Sequence, residues 1–194
     1  MGKRQIEKEM IAFLDKKLEK NGLAQEAIKN KDARTLFVQA AIACVGIKEA
    51  TGRNDGKMIR LIQETYGTAS GEPYCAAGVM TCLAYAEVKC KVTSPVVATE
   101  LAQSIWHDTR KSQRVKLLPL AGAIAVWADV GKSTGHCEIV LSCDGKNFQA
   151  VGFNTSGTTV PGAAVNRDGN GVYYTVRSMK STAKRKLLGF VKPF

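Results

Sequence analysis

The chain has 194 residues, of which 45% are hydrophobic and 23% are charged. This length supports one well-packed core with room for a small appendage, and the composition excludes a wholly disordered chain. The formal net charge of +11 indicates an anionic partner, such as nucleic acid, an acidic membrane surface or an anionic cell-wall polymer, without selecting one of them.

The N-terminal residues, the apolar runs and the cysteine spacing indicate where the protein is made and whether its thiols are reduced. The first ten residues are charged and no apolar segment follows them, so we expect synthesis in the cytoplasm without a secretory signal peptide. The longest apolar run, residues 117–128, is too short for a membrane-spanning helix. Six cysteines are present and none forms a C-x-x-C pair, so we expect reduced thiols rather than a structural zinc site.

Helical periodicity dominates the first half of the chain. Apolar residues recur at spacings of three and four, and capping or turn residues such as Asp32, Gly67 and Ser94 mark the helix ends. The pattern predicts five helices, at residues 6–21, 32–46, 56–67, 75–89 and 94–107.

Short β-rich runs separated by glycine-bearing turns follow residue 110. They predict strands at residues 124–127, 138–141, 148–151, 172–176 and 188–191. Helices followed by strands indicate an α+β fold, with the helix that begins at Cys75 packed on a C-terminal antiparallel sheet. A candidate boundary near Lys31 divides an N-terminal helical appendage, residues 1–31, from a main domain, residues 32–194.

Cys75 lies where a turn changes into a predicted helix. Gly71 and Pro73 mark the turn, so Cys75 is expected in the first helical turn, among unpaired N–H groups and at the positive end of the helix dipole. These groups favour a thiolate, which is the reactive form of a cysteine nucleophile. The alternative is that Cys75 is a small buried apolar residue.

Two further residues could complete a catalytic set with Cys75. His136 follows Gly135 at the start of a predicted strand, where it can face the N-terminus of a helix packed on the sheet. Asn154, at the end of the next strand, follows in chain order and could orient the imidazole. The alternatives are a structural histidine and a turn asparagine. His107 is better explained as a residue of a C-terminal helical turn.

Four segments resemble motifs of one enzyme family. Residues 72–79 resemble the block G-x-P-W-C-A-x-F-V, residues 118–127 the strand P-x-x-G-D-I-V-V-W, residues 135–140 the run G-H-V-G-I-V, and residues 154–157 the end of the loop E-G-N-T-S-G. In this order the chain is similar, over roughly residues 36–194, to the CHAP family, the cysteine- and histidine-dependent amidohydrolase/peptidases of the papain-like superfamily.

The resemblance implies a papain-like fold and a bacteriolytic peptidoglycan hydrolase, either an N-acetylmuramoyl-L-alanine amidase or an endopeptidase. It implies Cys75 as the nucleophile, His136 as general base and then acid, and Asn154 as the orienting group, with the Cys75 backbone N–H in the oxyanion hole. No cofactor and no metal are expected.

The expected partner is bacterial peptidoglycan, with neither nucleic acid binding nor membrane insertion. A phage particle, a delivery apparatus or an immunity protein would be a further partner. The expected place of action is the periplasm or cell wall, after lysis-linked release or delivery. A phage lysin, a tail-associated enzyme and a delivered effector remain open.

Several positions depart from the family pattern. Tyr74 replaces tryptophan, Ala123 replaces an aspartate, Glu138 replaces a glycine, and Gly152 lies where the family often has a glutamate. Glu138 is two residues from His136, so its carboxylate could take over the orienting role of Asn154.

Two other functions are compatible with the sequence. The segment from Gly169 to Phe194 has basic residues and no acidic ones, which would suit a non-catalytic nucleic-acid-binding protein. A zinc protein could use His136, Cys137, Cys143 and one helix cysteine.

Overall fold

The computed structural model describes residues 6–157 and 169–194. These residues form six α-helices and one six-stranded antiparallel sheet, so the predicted α+β class is confirmed. The helices are α1 (Lys8–Leu18), α2 (Gly22–Asn30), α3 (Ala33–Cys44), α4 (Lys57–Glu64), α5 (Cys75–Cys90) and α6 (Ala102–His107).

The strands all follow the helices in the chain. They are β1 (Arg114–Val115), β2 (Ile124–Asp129), β3 (Gly135–Cys143), β4 (Asn147–Thr155), β5 (Gly171–Ser178) and β6 (Arg185–Val191), with a short 3-10 helix at Lys111–Gln113 before β1. Their order across the sheet is β1-β6-β2-β3-β4-β5, and every neighbouring pair is antiparallel.

Helix α5 lies at the centre of the molecule. It is apolar on almost every side and nearly all of its residues are buried, which is typical of a helix enclosed by other elements. Helices α2, α3 and α4 pack against it, and strands β3 and β4 contact it from the sheet. This arrangement brings the N-terminus of α5 to the sheet.

The contact between α5 and β4 requires a glycine. A Cβ atom on Gly78 would lie 2.2 Å from the ring of Phe153, far inside the van der Waals distance. The helix backbone therefore approaches the aromatic ring directly, and this approach sets the separation between α5 and the sheet.

The first two helices share the main core. Met10, Leu14 and Leu18 of α1 and Ala24 and Ala27 of α2 are buried in the same hydrophobic cluster as α3 and α5. The predicted boundary between residues 1–31 and 32–194 concerns independent folding and activity and stays a prediction, which a truncation would test.

Two helices differ from the sequence prediction. Asn21, taken as a helix end, instead caps α2, because its side chain accepts a hydrogen bond from the Ala24 N–H at 3.0 Å. The helix predicted from Ser94 begins only at Ala102. The Ser94 and Thr99 hydroxyls accept hydrogen bonds from N–H groups two residues on, which stabilises turns in place of a helix start.

Within residues 6–157 and 169–194, no helix is long and apolar enough to cross a membrane.

Candidate active site

Cys75 is the first residue of α5, as the sequence predicts. The preceding residue, Tyr74, makes no side-chain capping hydrogen bond to the helix. Tyr74 is instead buried and donates its hydroxyl proton to Glu49 Oε1 at 3.1 Å. The first N–H groups of α5 therefore remain available beside the side chain of Cys75, a residue that is only 6% exposed.

The surroundings of Cys75 favour its thiolate. A hydrogen bond from the Cys137 side chain, together with the proximity and charge of His136, lowers the pKa of Cys75 well below its usual range although burial opposes the shift. The pKa of Cys137 is raised well above its ordinary value by burial and by its contact with Cys75. Cys75 is therefore the member of this pair that carries the negative charge.

His136 is held at the start of β3 by close backbone packing. A Cβ on Gly135 would lie 2.1 Å from the Trp127 carbonyl oxygen, so glycine is needed where the β2–β3 hairpin meets the histidine. His136 pairs with Trp127 across the two strands, and the two rings are 6.0 Å apart at their centroids. The imidazole is fully buried.

The two ring nitrogens of His136 have different environments. Nε2 lies 3.1 Å from Glu138 Oε1, whereas Nδ1 has no hydrogen-bond partner among the described residues. Burial alone would lower the pKa of His136, but the interactions with Cys75 and Glu138 outweigh it and raise the pKa. The thiol and the imidazole thus influence each other without the geometry of a formed hydrogen bond.

Glu138 is a fully buried carboxylate in an ion pair. Arg177 Nη2 lies 2.6 Å from Glu138 Oε1, and the Thr175 hydroxyl donates to Oε2 at 2.8 Å. Burial would raise the pKa of Glu138, but the charge of Arg177 and the hydrogen bond with His136 lower it to about 2. The group beside His136 is therefore a carboxylate anion at neutral pH.

A glycine makes room for this carboxylate. Glu138 on β3 pairs with Gly152 on β4, and a Cβ on Gly152 would lie 2.7 Å from Glu138 Oε1. Without that Cβ, Glu138 reaches across β4 to Thr175 and Arg177 on β5. Arg177 is itself buried and also donates to the Thr155 hydroxyl at 3.1 Å.

Asn154, the third residue predicted for the site, does not share the hydrogen bonds of His136 and Glu138. It is fully buried in β4 with a φ of 50°, a left-handed conformation that asparagine tolerates better than most residues. Neither polar atom of its amide has a hydrogen-bond partner in the described part of the chain. No hydrogen bond joins it to His136, whose Nε2 interacts with Glu138 instead. A catalytic role for Asn154 stays a prediction.

The structure thus brings Cys75 and His136 together and adds Glu138 and Arg177. The sequence feature that could have identified Glu138 as a site residue is its charge inside an apolar strand, two positions from His136. Arg177 is harder to identify from the sequence than Glu138, since one arginine at a strand end is usually solvated. Its burial follows from the position of Glu138 two strands away.

A cleft of about 360 Å³ opens at Cys75. Three segments contribute to its lining, residues 67–75 before and at the start of α5, residues 100–102 at the start of α6, and residues 133–135 in the β2–β3 hairpin. The cleft therefore leaves space for a ligand beside Cys75.

The site is defined by a thiol, an imidazole and a carboxylate. In the ranges that the structure describes, no group of three or more histidine, cysteine, aspartate or glutamate side chains could hold a metal ion. Comparisons with protein-family models, with curated proteins and with solved structures find no match.

Proposed function

We propose that this chain is a cysteine amidohydrolase or peptidase of the papain-like CHAP type, and that it hydrolyses an amide bond of bacterial peptidoglycan. One observation carries the proposal. A thiol with a lowered pKa begins the central helix beside a histidine whose far nitrogen contacts a buried carboxylate. The peptidoglycan substrate rests on the motif resemblance, and the net charge of +11 suits anionic cell-wall polymers.

The proposed reaction proceeds in two steps. The Cys75 thiolate attacks the amide carbonyl carbon, and the tetrahedral oxyanion is stabilised by the Cys75 backbone N–H. The C–N bond then breaks as protonated His136 donates a proton to the leaving amine, which leaves a thioester. Water attacks the thioester while His136 takes its proton, and the C–S bond breaks to give a carboxylic acid and the thiolate.

Glu138 acts in this scheme as a positioning residue. Its carboxylate accepts the Nε2–H of His136, which leaves Nδ1 for exchange of protons with the sulfur and the substrate. Arg177 holds the carboxylate in place. The arrangement is a chain of alternating charges, thiolate, imidazolium, carboxylate and guanidinium.

The test is incubation with purified peptidoglycan and mass spectrometry of the released fragments. Free lactyl groups and new alanine amino termini would identify an amidase, and cleaved stem peptides or cross-links an endopeptidase. Cys75→Ala should fold and release nothing. Cys143→Ala is the matched control, because Cys143 lies at the far end of β3, and it should retain activity. Full lytic activity of Cys75→Ala would refute the mechanism.

The basic composition also suits nucleic acid. Salt-dependent DNA binding by the Cys75→Ala protein, without affinity for peptidoglycan, would replace this proposal with the non-catalytic alternative.

A further inference from the structure

The cleft at Cys75 has a charge opposite to that of the whole chain. Its lining includes two glutamates, Glu72 and Glu100, and no lysine or arginine. Both glutamates are exposed, and neither forms an ion pair with another described residue. In a protein with a net charge of +11, the entrance to the nucleophile is therefore locally acidic.

A second feature of the cleft also indicates a ligand. Thr68 lines the same cleft and is 92% buried, being only 8% exposed. Its hydroxyl oxygen has no hydrogen-bond partner in the described ranges. Buried polar atoms are normally paired, so an unpaired hydroxyl on a residue that lines the cleft indicates a partner supplied by a ligand.

We infer that the cleft selects a substrate with an ammonium group close to the scissile amide, such as a peptide with a free amino terminus or a diamino-acid side chain. This inference rests on the proposed function and names its substrate class. The two carboxylates attract the cation at the mouth, and the Thr68 oxygen accepts one N–H within the cleft. An acylated amine would lose the attraction to the carboxylates and keep a single neutral N–H.

Charged thiol reagents test the charge preference without any substrate. Cys75 is treated with a trimethylammonium-ethyl and with a sulfonatoethyl methanethiosulfonate of similar size, and its modification is followed by mass spectrometry of the Cys75 peptide. Each rate is divided by that of N-acetylcysteine. Replacing both carboxylates, in Glu72→Gln with Glu100→Gln, should lower the ratio of cationic to anionic rates about tenfold.

The control for this experiment is Glu26→Gln, which removes an exposed glutamate on α2, outside the cleft lining. It changes the net charge by one unit and should leave the ratio within twofold of the original. A double variant with an unchanged ratio would overturn the inference, and so would an equally large change in Glu26→Gln.

Peptidoglycan with and without acetylated amines tests the same preference on the substrate. We expect the unmodified chain to release fragments at least fivefold faster from the free-amine material, and the double variant to lose this difference. Equal rates on both materials would overturn the inference while leaving the hydrolase proposal intact. If neither material is cut, the proposed function fails, and the reagent ratio still decides the charge preference.

Discussion

Removing the carboxylate of Glu138 should raise the pH at which Cys75 becomes reactive. In Glu138→Gln the anion that contacts His136 is lost, so the imidazolium is less stable and the pKa of His136 falls. The thiolate then loses the cation beside it, and its own pKa rises toward the free-thiol value of about 8.5. The Cys137 hydrogen bond, the larger cause of the low pKa of Cys75, is retained.

The size of the effect follows from the 3.1 Å separation of His136 Nε2 and Glu138 Oε1. Two unit charges at that distance attract by about 1 kcal/mol in water and about 5 kcal/mol at an effective dielectric constant of about 20. These energies correspond to roughly one to four units in the pKa of His136. Arg177 offsets part of the carboxylate field, so we expect a rise of about one to two units in the Cys75 pKa.

The single variant has a stability cost that must be separated from this effect. It leaves Arg177 buried without its carboxylate, which typically costs about 3–5 kcal/mol. Glu138→Gln combined with Arg177→Gln removes both charges and avoids that cost. Asp15→Asn is the control, because it removes the carboxylate of another ion pair, with Lys89 at 2.9 Å, outside the cleft lining.

The assay is iodoacetamide alkylation of Cys75 as a function of pH, in proteins shown to be folded by circular dichroism. The wild-type rate should fall only when the pH drops through the lowered pKa of Cys75, and the double variant should lose reactivity at a higher pH. A folded double variant with an unchanged inflection would refute the positioning role of Glu138.

Three other changes test the architecture. Gly78→Ala forces a Cβ against Phe153 and should lower stability by about 1–3 kcal/mol and slow alkylation of Cys75, whereas Ala77→Gly should leave that rate nearly unchanged. Asn154→Gly keeps the left-handed backbone without the amide, and we expect less than a threefold change in hydrolysis rate, against a tenfold loss if the amide orients the histidine. Deleting residues 1–31 removes three buried side chains of α1, worth about 5–9 kcal/mol together, and should lower the thermal midpoint sharply, where an unchanged midpoint would support a separable appendage.

The spacing of apolar residues predicted those helices whose buried residues recur at a regular interval. Helices α3, α4 and α5 begin within about a residue of the predicted positions, because Asp32, Gly56 and Pro73 fix the local backbone. Helix α2 was missed because its apolar face is short. The region from Ser94 was predicted as helix because an N-cap and a proline were present, yet side-chain hydrogen bonds to local N–H groups stabilised turns there.

The site could be predicted where chemistry depends on local sequence. A cysteine at a helix start and a histidine after a glycine both follow from neighbours in the chain. The partner of that histidine could not be assigned, since choosing between Glu138 and Asn154 requires the β3–β4 register and the gap above Gly152. Arg177 depends on a still longer range, because β5 is two strands from β3.

Because Gly78 contacts Phe153 directly, substitutions at Gly78 displace helix α5 and the sheet in one direction only. The helix backbone and the ring are already as close as atoms allow, so a substitution at Gly78 can only move the two layers apart. A larger residue at Gly78 should therefore move Cys75 away from His136 and cannot bring the two closer. A smaller side chain in place of Phe153 should then restore the reactivity of Cys75. No change at Cys75, His136 or Glu138 would be needed.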